Sequence, residues 1–213
     1  PDPTHSSYYL NFSKIKQSWL KRATKRFVRY QAATKTFNTC RSYIASLAHF
    51  SRFIECRSPN LQPQSVCRSS IIDFVNYLSI QQLGSTTRSI AMVNLRTFLE
   101  ICCREEWIPL TPKHLIYSED IPKHRVPKPD FIPETVITQL MQHLSKLPKE
   151  IQRLIYILQE TGRRISEICT LPYDCIEKDT NGGNFLKVND RKLKKFYLIP
   201  TTKECADTIE CQQ

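Results

Sequence analysis

Apolar positions recur along this chain at the spacing of α-helices for most of its length. Residues 15–29 carry Ile15, Trp19, Ala23, Phe27 and Val28 at helical intervals. Residues 36–57 place Tyr43, Leu47, Phe50 and Phe53 at steps of four, three and three, with Ile44 and Ile54 beside them, so one buried face is predicted. Asn60-Leu61-Gln62-Pro63 interrupts the rhythm, and Ser65 is placed to cap a following helix bearing Ile71, Ile72, Phe74, Val75 and Leu78. Gly84-Ser85-Thr86 punctuates again and opens a helix over 86–106 with the stripe Ile90, Val93, Leu95, Phe98, Leu99, Ile101 and Cys102. These periods predict a bundle of about four helices ending near residue 118.

Residues 109–133 then contain six prolines, at 109, 112, 122, 127, 129 and 133. Proline removes a backbone donor and extends the residue before it, so 119–133 is expected to be a linker between a first domain, 1–118, and a second, 134–213. Helical rhythm resumes over 134–147 and 148–170. The turn Asn181-Gly182-Gly183-Asn184 is followed by strand-like Phe185–Val188 and Lys195–Pro200, which predicts a two- or three-stranded antiparallel sheet. Residues 201–213 can open a further helix. The expected class is mainly α: a helical bundle, then a partial α+β domain with a small antiparallel sheet.

Composition narrows the chemistry. Only four glycines occur in 213 residues, which disfavours a glycine-rich nucleotide loop and a turn-rich all-β fold. No apolar run reaches the length of a membrane span, and the first residues lack the charged start and apolar stretch of a secretory leader. The nine cysteines are odd in number and never spaced CxxC, so they are expected to be reduced thiols acting as small hydrophobes, with no metal site and no cofactor.

Charge is concentrated rather than spread. The chain carries 31 Lys and Arg against 20 Asp and Glu, a net +11, and residues 1–58 hold eleven of the bases with only Asp2 and Glu55 against them. Lys16, Lys21, Arg22, Lys25, Arg26 and Arg29 interleave with the apolar residues of the first helix. Such a helix can bind nucleic acid, lie on an anionic membrane or simply be solvated.

Thr161-Gly162-Arg163-Arg164-Ile165-Ser166-Glu167-Ile168, with Leu171 after it, resembles the first arginine box of the tyrosine recombinases (phage integrases), T-G-x-R-x-S-E-[LI]-x-x-L, at every fixed position. Upstream, Thr39, Tyr43, Leu47, Phe50 and Phe53 match the helix that opens the family's SAM-like core-binding domain. Ser85-Thr86-Thr87-Arg88 through Glu106-Trp107-Ile108 looks like a later helix of the same domain. Downstream, the family carries a hairpin lysine eight residues before a proline; counting back from Pro200 gives Lys192. The glycines usual around that lysine are missing, so Lys194 or Arg191 can take its place by a register shift. The resemblance covers about residues 30–210.

The resemblance implies that Arg164 grips the scissile phosphate, since a planar guanidinium holds two phosphate oxygens at once. Glu167 is then its orienting partner on the same helix face, and Lys192 a proton donor to the leaving 5′-hydroxyl. Thr39, Arg41, Thr87 and Arg88 are implied near DNA, joined by Lys21, Arg22, Lys25 and Arg26 from the basic helix. The family's H-x-x-R box and its tyrosine nucleophile have no counterpart downstream of the arginine box: no histidine follows Arg164, the one H-x-x-R spacing (His49 to Arg52) lies in the first helical block, and the last tyrosine, Tyr197, lies within the hairpin. The chain is therefore expected to be an inactive fragment of a longer site-specific recombinase, integrase or transposase. The alternative is a DNA-binding regulator that never cuts. Double-stranded DNA is the expected partner, with no membrane, a homotetramer on DNA when the protein is longer, and a bacterial cytoplasmic setting near the nucleoid.

Overall fold

The computed structural model describes residues 9–109, 114–123, 131–190 and 195–213. The chain divides into two compact units, Pro1–Lys128 and Pro129–Gln213. In the first, four α-helices surround one core: α1 (Ser18–Gln31), α2 (Phe37–Arg57), α3 (Arg68–Ile80) and α4 (Ser85–Arg104).

α1 buries Leu20, Ala23, Thr24, Phe27, Val28 and Gln31 and turns its basic residues outward. Thr24 is tolerated inside because its hydroxyl donates to the Leu20 carbonyl at 2.7 Å. α2 begins at Thr36, whose hydroxyl accepts the Thr39 N–H. It sends Tyr43, Leu47, Phe50 and Phe53 into the middle of the unit, as its spacing predicts. Aromatic edges lock the helices together: Phe27 meets Tyr43 at 4.9 Å and Phe98 at 5.4 Å, and Phe50 meets Phe74 at 5.2 Å between ring centres. The Asn94 amide donates to the hydroxyls of Ser46 and Ser42, at 2.8 and 3.2 Å, and fixes α4 against α2.

Three expectations fail in detail. Ser65 does not cap α3; it ends a 3-10 turn, Pro63–Ser65, the chain stays extended through buried Val66, and Cys67 is the N-cap. Ile72 is exposed on α3, while Tyr77 is buried in its place. On α4, Ile90 is exposed and Val93 and Ile101 are only half-buried. The α-helical period through Leu95, Phe98 and Cys102 runs back to Ala91 and Met92 instead.

The proline-rich segment is fastened to this unit well past residue 114. Leu115 and Ile116 are buried in the same core, and Ile121 packs against it. Arg68 grips both carboxylate oxygens of Asp120, donates to the Leu115 carbonyl at 2.9 Å and stacks on the Tyr117 ring at 4.9 Å. That grip holds the Asp120 carboxyl below its ordinary pKa. The segment read as a linker or surface-hugging strap thus begins packed against the bundle, through Asp120 and Ile121.

The second unit runs α5 (Glu134–His143), α6 (Lys149–Thr161), α7 (Ile165–Ile168), β1 (Ile176–Lys178), β2 (Asn184–Asp190), β3 (Lys195–Thr201) and α8 (Lys203–Gln212). α5 buries none of its residues. The core is small: Ile157, Ile168, Cys175, Leu186, Val188, Cys205 and Ile209. The sheet is antiparallel in the order β1-β2-β3, with Ile176 opposite Leu186, Phe185 opposite Pro200 and Asp190 opposite Lys195. Its first turn closes because the Asp179 carboxylate accepts the N–H groups of Asn181 and Gly183. The single helix expected over 148–170 is broken: Gly162 adopts φ 60° and ends α6, and the short α7 starts after Arg164. No disulfide joins any of the nine cysteines.

Candidate functional site

The break after α6 builds the arginine site. With Gly162 in the left-handed region, its N–H closes on the Leu158 carbonyl and the chain turns out of the helix. Arg164 follows in extended backbone, φ −70° and ψ 142°, as the N-cap of α7. Glu167 sits at the third position of that helix and reaches back, its Oε2 accepting the Arg164 N–H at 3.3 Å. Its Oε1 accepts from Arg164 Nη1 at 2.6 Å. The pairing expected between the two residues is present, but through a helix start rather than a shared helix face. Ile165 is 58% exposed for the same reason.

A third residue completes the cluster. Asp190, at the end of β2, is 7% exposed, and its Oδ2 lies 3.6 Å from Arg164 Nη1. Two nearly buried carboxylates therefore hold one corner of a guanidinium that is itself 65% exposed. They raise its already high pKa, first through the bond to Glu167 and then through the charges of Glu167 and Asp190. The arrangement suits an anion approaching from solvent: a permanently charged, planar fork whose orientation is set from behind. Sequence reasoning gave Asp190 no role. The signal was the alternation of β2, where Leu186, Val188 and Asp190 share the inner face. Arg163 points elsewhere, its guanidinium 5.7 Å from the centre of the Tyr197 ring on β3. Lys192, Lys194 and Arg191 lie outside the described residues.

The basic residues of the first unit form two surfaces. One is a groove of about 830 Å³ along the outer side of α2, where Arg41, Ala45, Ala48, Arg52 and Glu55 recur opposite the buried stripe. The N-terminal segment forms its other wall with Lys14 and Lys16. His49 lies half-buried in it, its pKa lowered by burial and then by Arg52 and Lys14. Lys14, His49 and Arg52 were not among the expected contacts, although His49 and Arg52 fall on the α2 face left over by the predicted stripe. The other surface lies on α1. Arg22 and Arg26 line a recess with Trp19 and Trp107, and Arg26 and Arg29 line another with Tyr30 and Trp107. Lys25 leaves this flank and sits 5.8 Å from the Phe12 ring centre, and Lys21 is half-exposed.

Thr39 is half-exposed in the first turn of α2, its hydroxyl 3.0 Å from that of Thr36. Thr87 is exposed in the first turn of α4. Arg88 beside it is half-buried, and its Nε is buried without a hydrogen-bond partner. Among the described residues no group of three or more His, Cys, Asp or Glu is arranged to hold a metal ion, and no helix is long and apolar enough to cross a membrane.

A basic four-helix bundle is thus followed by a unit in which an arginine is held at a helix start beside a small antiparallel sheet. Residues 20–117 match the phage integrase SAM-like domain, and the chain is similar to transposases and tyrosine recombinases. Over all 213 residues it is 32% identical to transposase B from transposon Tn554 of Staphylococcus aureus. It is equally similar to transposase B from transposon PsiTn554 of the same species, and it covers 34% of either relative. It is also 27% identical over 177 residues, 81% of this chain, to the tyrosine recombinase XerC of Staphylococcus haemolyticus, of which it covers 56%. The chain thus spans about a third of the length of the transposases it matches.

Proposed function

We propose that this chain is the DNA-binding portion, with the start of the catalytic domain, of a site-specific recombinase or transposase that cleaves and rejoins DNA through a 3′-phosphotyrosyl intermediate. The observation that carries this reading is the Arg164 cluster: an exposed guanidinium oriented by two buried carboxylates, within a box that fits the family's pattern position for position. In that role Arg164 neutralises charge that builds on the scissile phosphate as it becomes pentavalent. Glu167 orients Arg164, and Lys192 protonates the leaving 5′-hydroxyl. The nucleophile belongs to a longer polypeptide, which assembles on DNA as a homotetramer. Tyr197 is not the nucleophile: it sits in β3 and stacks with Arg163.

The first unit supplies affinity. Arg41 and the α2 groove, Thr39, Thr87 and the α1 residues Lys21, Arg22, Lys25 and Arg26 are the proposed contacts to the DNA backbone and bases. Arg88 supports this reading, because a buried cationic donor without a partner is costly until an acceptor such as a phosphate arrives.

The test is duplex binding by this chain across a salt series, with a suicide DNA substrate alongside. Binding at low salt should weaken steeply as salt rises, because displaced counterions make log affinity fall by about 0.9 per phosphate contact for each decade of salt. Lys14→Ala with Arg52→Ala should flatten that slope by about two contacts. No covalent adduct should form. Binding that is absent at low salt, or indifferent to salt, refutes the DNA-binding role, and a denaturant-resistant adduct refutes the assignment of the nucleophile to a longer polypeptide.

A further inference from the structure

The fork of Arg164 is set by a residue outside the arginine box. Glu167 lies three positions away in the same turn, so it fixes the guanidinium only relative to α7. Asp190 comes from β2, and its carboxylate ties the same Nη1 to the sheet. A carboxylate at the inner end of a strand, aligned with Leu186 and Val188, is costly to desolvate without a nearby cation. Arg164 supplies that cation. Both carboxylates approach the arginine at Nη1, while the side chain as a whole stays 65% exposed, leaving it open to an anion such as a phosphate. Asp190 is also the last residue of β2, opposite Lys195 at the start of β3, so it ties Arg164 to the end of that strand pair.

We propose that Asp190 is a positioning residue: it fixes the Arg164 guanidinium against the sheet so that the exposed fork is presented to a DNA phosphate. The proposal rests on the reading of Arg164 as the phosphate-binding arginine. It assigns the orientation to two elements, α7 and β2, rather than to the box alone.

The experiment follows arginine side-chain NMR signals in this 213-residue chain. Slow rotation should give Arg164 separate Nη signals in the parent protein. Asp190→Asn, which keeps shape but removes charge, should collapse them and shift the Arg164 Nε–H signal more than those of Arg153 or Arg163. The backbone amides of Leu186, Val188 and Ile199 should stay in place, and Asp190→Glu should recover part of the restriction. Unchanged Arg164 signals in Asp190→Asn overturn the proposal. So does a general shift of the core amides in which Arg164 moves no more than its neighbours, since that is a merely structural role.

Should Asp190→Asn not fold, Arg164→Ala gives a second measurement: the carboxyl carbon signal of Asp190 should move on loss of the guanidinium, and move more than that of Asp179. No movement there also overturns the proposal. A short random-sequence duplex separates the two claims. Arg164 signals that ignore DNA while still responding to Asp190→Asn would sink the phosphate role and leave the positioning intact. An equal response to DNA in the parent and in Asp190→Asn would do the reverse.

Discussion

The two units carry their chemistry in opposite ways. In the first, the interior is a continuous apolar cluster around Phe27, Phe50, Phe53, Phe74 and Phe98, all fully buried, and the charge lies outside on several surfaces. No single base is indispensable to a field summed over so many, and affinity built this way degrades gradually. In the second, the core is a handful of aliphatic and cysteine side chains, and the charge that matters sits at its margin as one arginine and two carboxylates. Function there depends on angles and on distances of a few ångströms. A domain that binds by charge tolerates substitution at its surface, while a site that orients one group fails when that group is changed at all.

The widest separation between the units should appear on replacing Arg164. In a longer polypeptide that includes the nucleophile, Arg164→Lys keeps the charge and loses the fork, so cleavage should fall by about two to four orders of magnitude, the scale of losing one preorganised donor. Duplex affinity should barely change, since the first unit supplies it. Equal losses in cleavage and affinity would dissolve the distinction drawn here.

Next in size is the interior of the first unit. Phe74 packs against Phe50, Phe53 and Tyr77 at 5.2, 5.4 and 6.4 Å between ring centres. Phe74→Ala should cost about 3–5 kcal/mol, from lost burial and the cavity left behind. Both tryptophans, Trp19 and Trp107, lie in this unit. Denaturant unfolding followed by their fluorescence therefore reports on it alone. Hydrogen exchange at Leu186 and Val188 should stay as in the parent protein, and exchange that collapses there as well would mean that the two cores are not separate.

Much of the first unit was legible in sequence because a helix with one buried face writes its period plainly, and α2 buries the stripe its spacing predicts. The errors fell where two apolar faces compete. Ile90 and Ile72 fit a helical stripe as well as their neighbours do, and only packing against the other helices chose Met92 and Tyr77. The second unit was legible as a motif but not as geometry. The box named Arg164 and Glu167, yet periodicity extended a helix straight through Gly162, whose left-handed conformation makes the arginine an N-cap. Asp190 was hidden because its partner lies 26 positions earlier, and sequence spacing does not show which strand end meets which turn.

A smaller effect belongs to the clasp between Arg68 and Asp120, which is electrostatic like the second unit's site but structural in its work. Asp120→Asn removes the carboxylate's charge and one strong acceptor; with Arg68 partly exposed, the loss should be about 1 kcal/mol. Its sign with pH follows from the lowered carboxyl pKa. The stabilisation is fully present above the ordinary carboxylate value near pH 4 and drains away as pH falls through the lower folded value. Comparing parent and Asp120→Asn by tryptophan-monitored unfolding at neutral pH and near pH 3 checks this: the difference between them should shrink at the acidic end.

The smallest effect sharpens the comparison most, because it contrasts adjacent residues of one type. Arg163 and Arg164 are separated by backbone rather than by helical twist: Gly162 ends α6, and Arg164 is extended before α7 begins. Arg163 turns to the face of Tyr197 on β3, a cation–π contact of 5.7 Å, while Arg164 turns to Glu167 and Asp190. Arg163→Ala should therefore cost about 0.5–1 kcal/mol of local stability, the worth of such a contact near a surface. It should leave cleavage by the longer polypeptide within a few-fold of the parent. Measured beside Arg164→Lys, the pair gives a ranking: if Arg163→Ala abolishes cleavage and Arg164→Lys spares it, the arginine box has been placed one residue out of register, and the two carboxylates hold an arginine that never meets DNA.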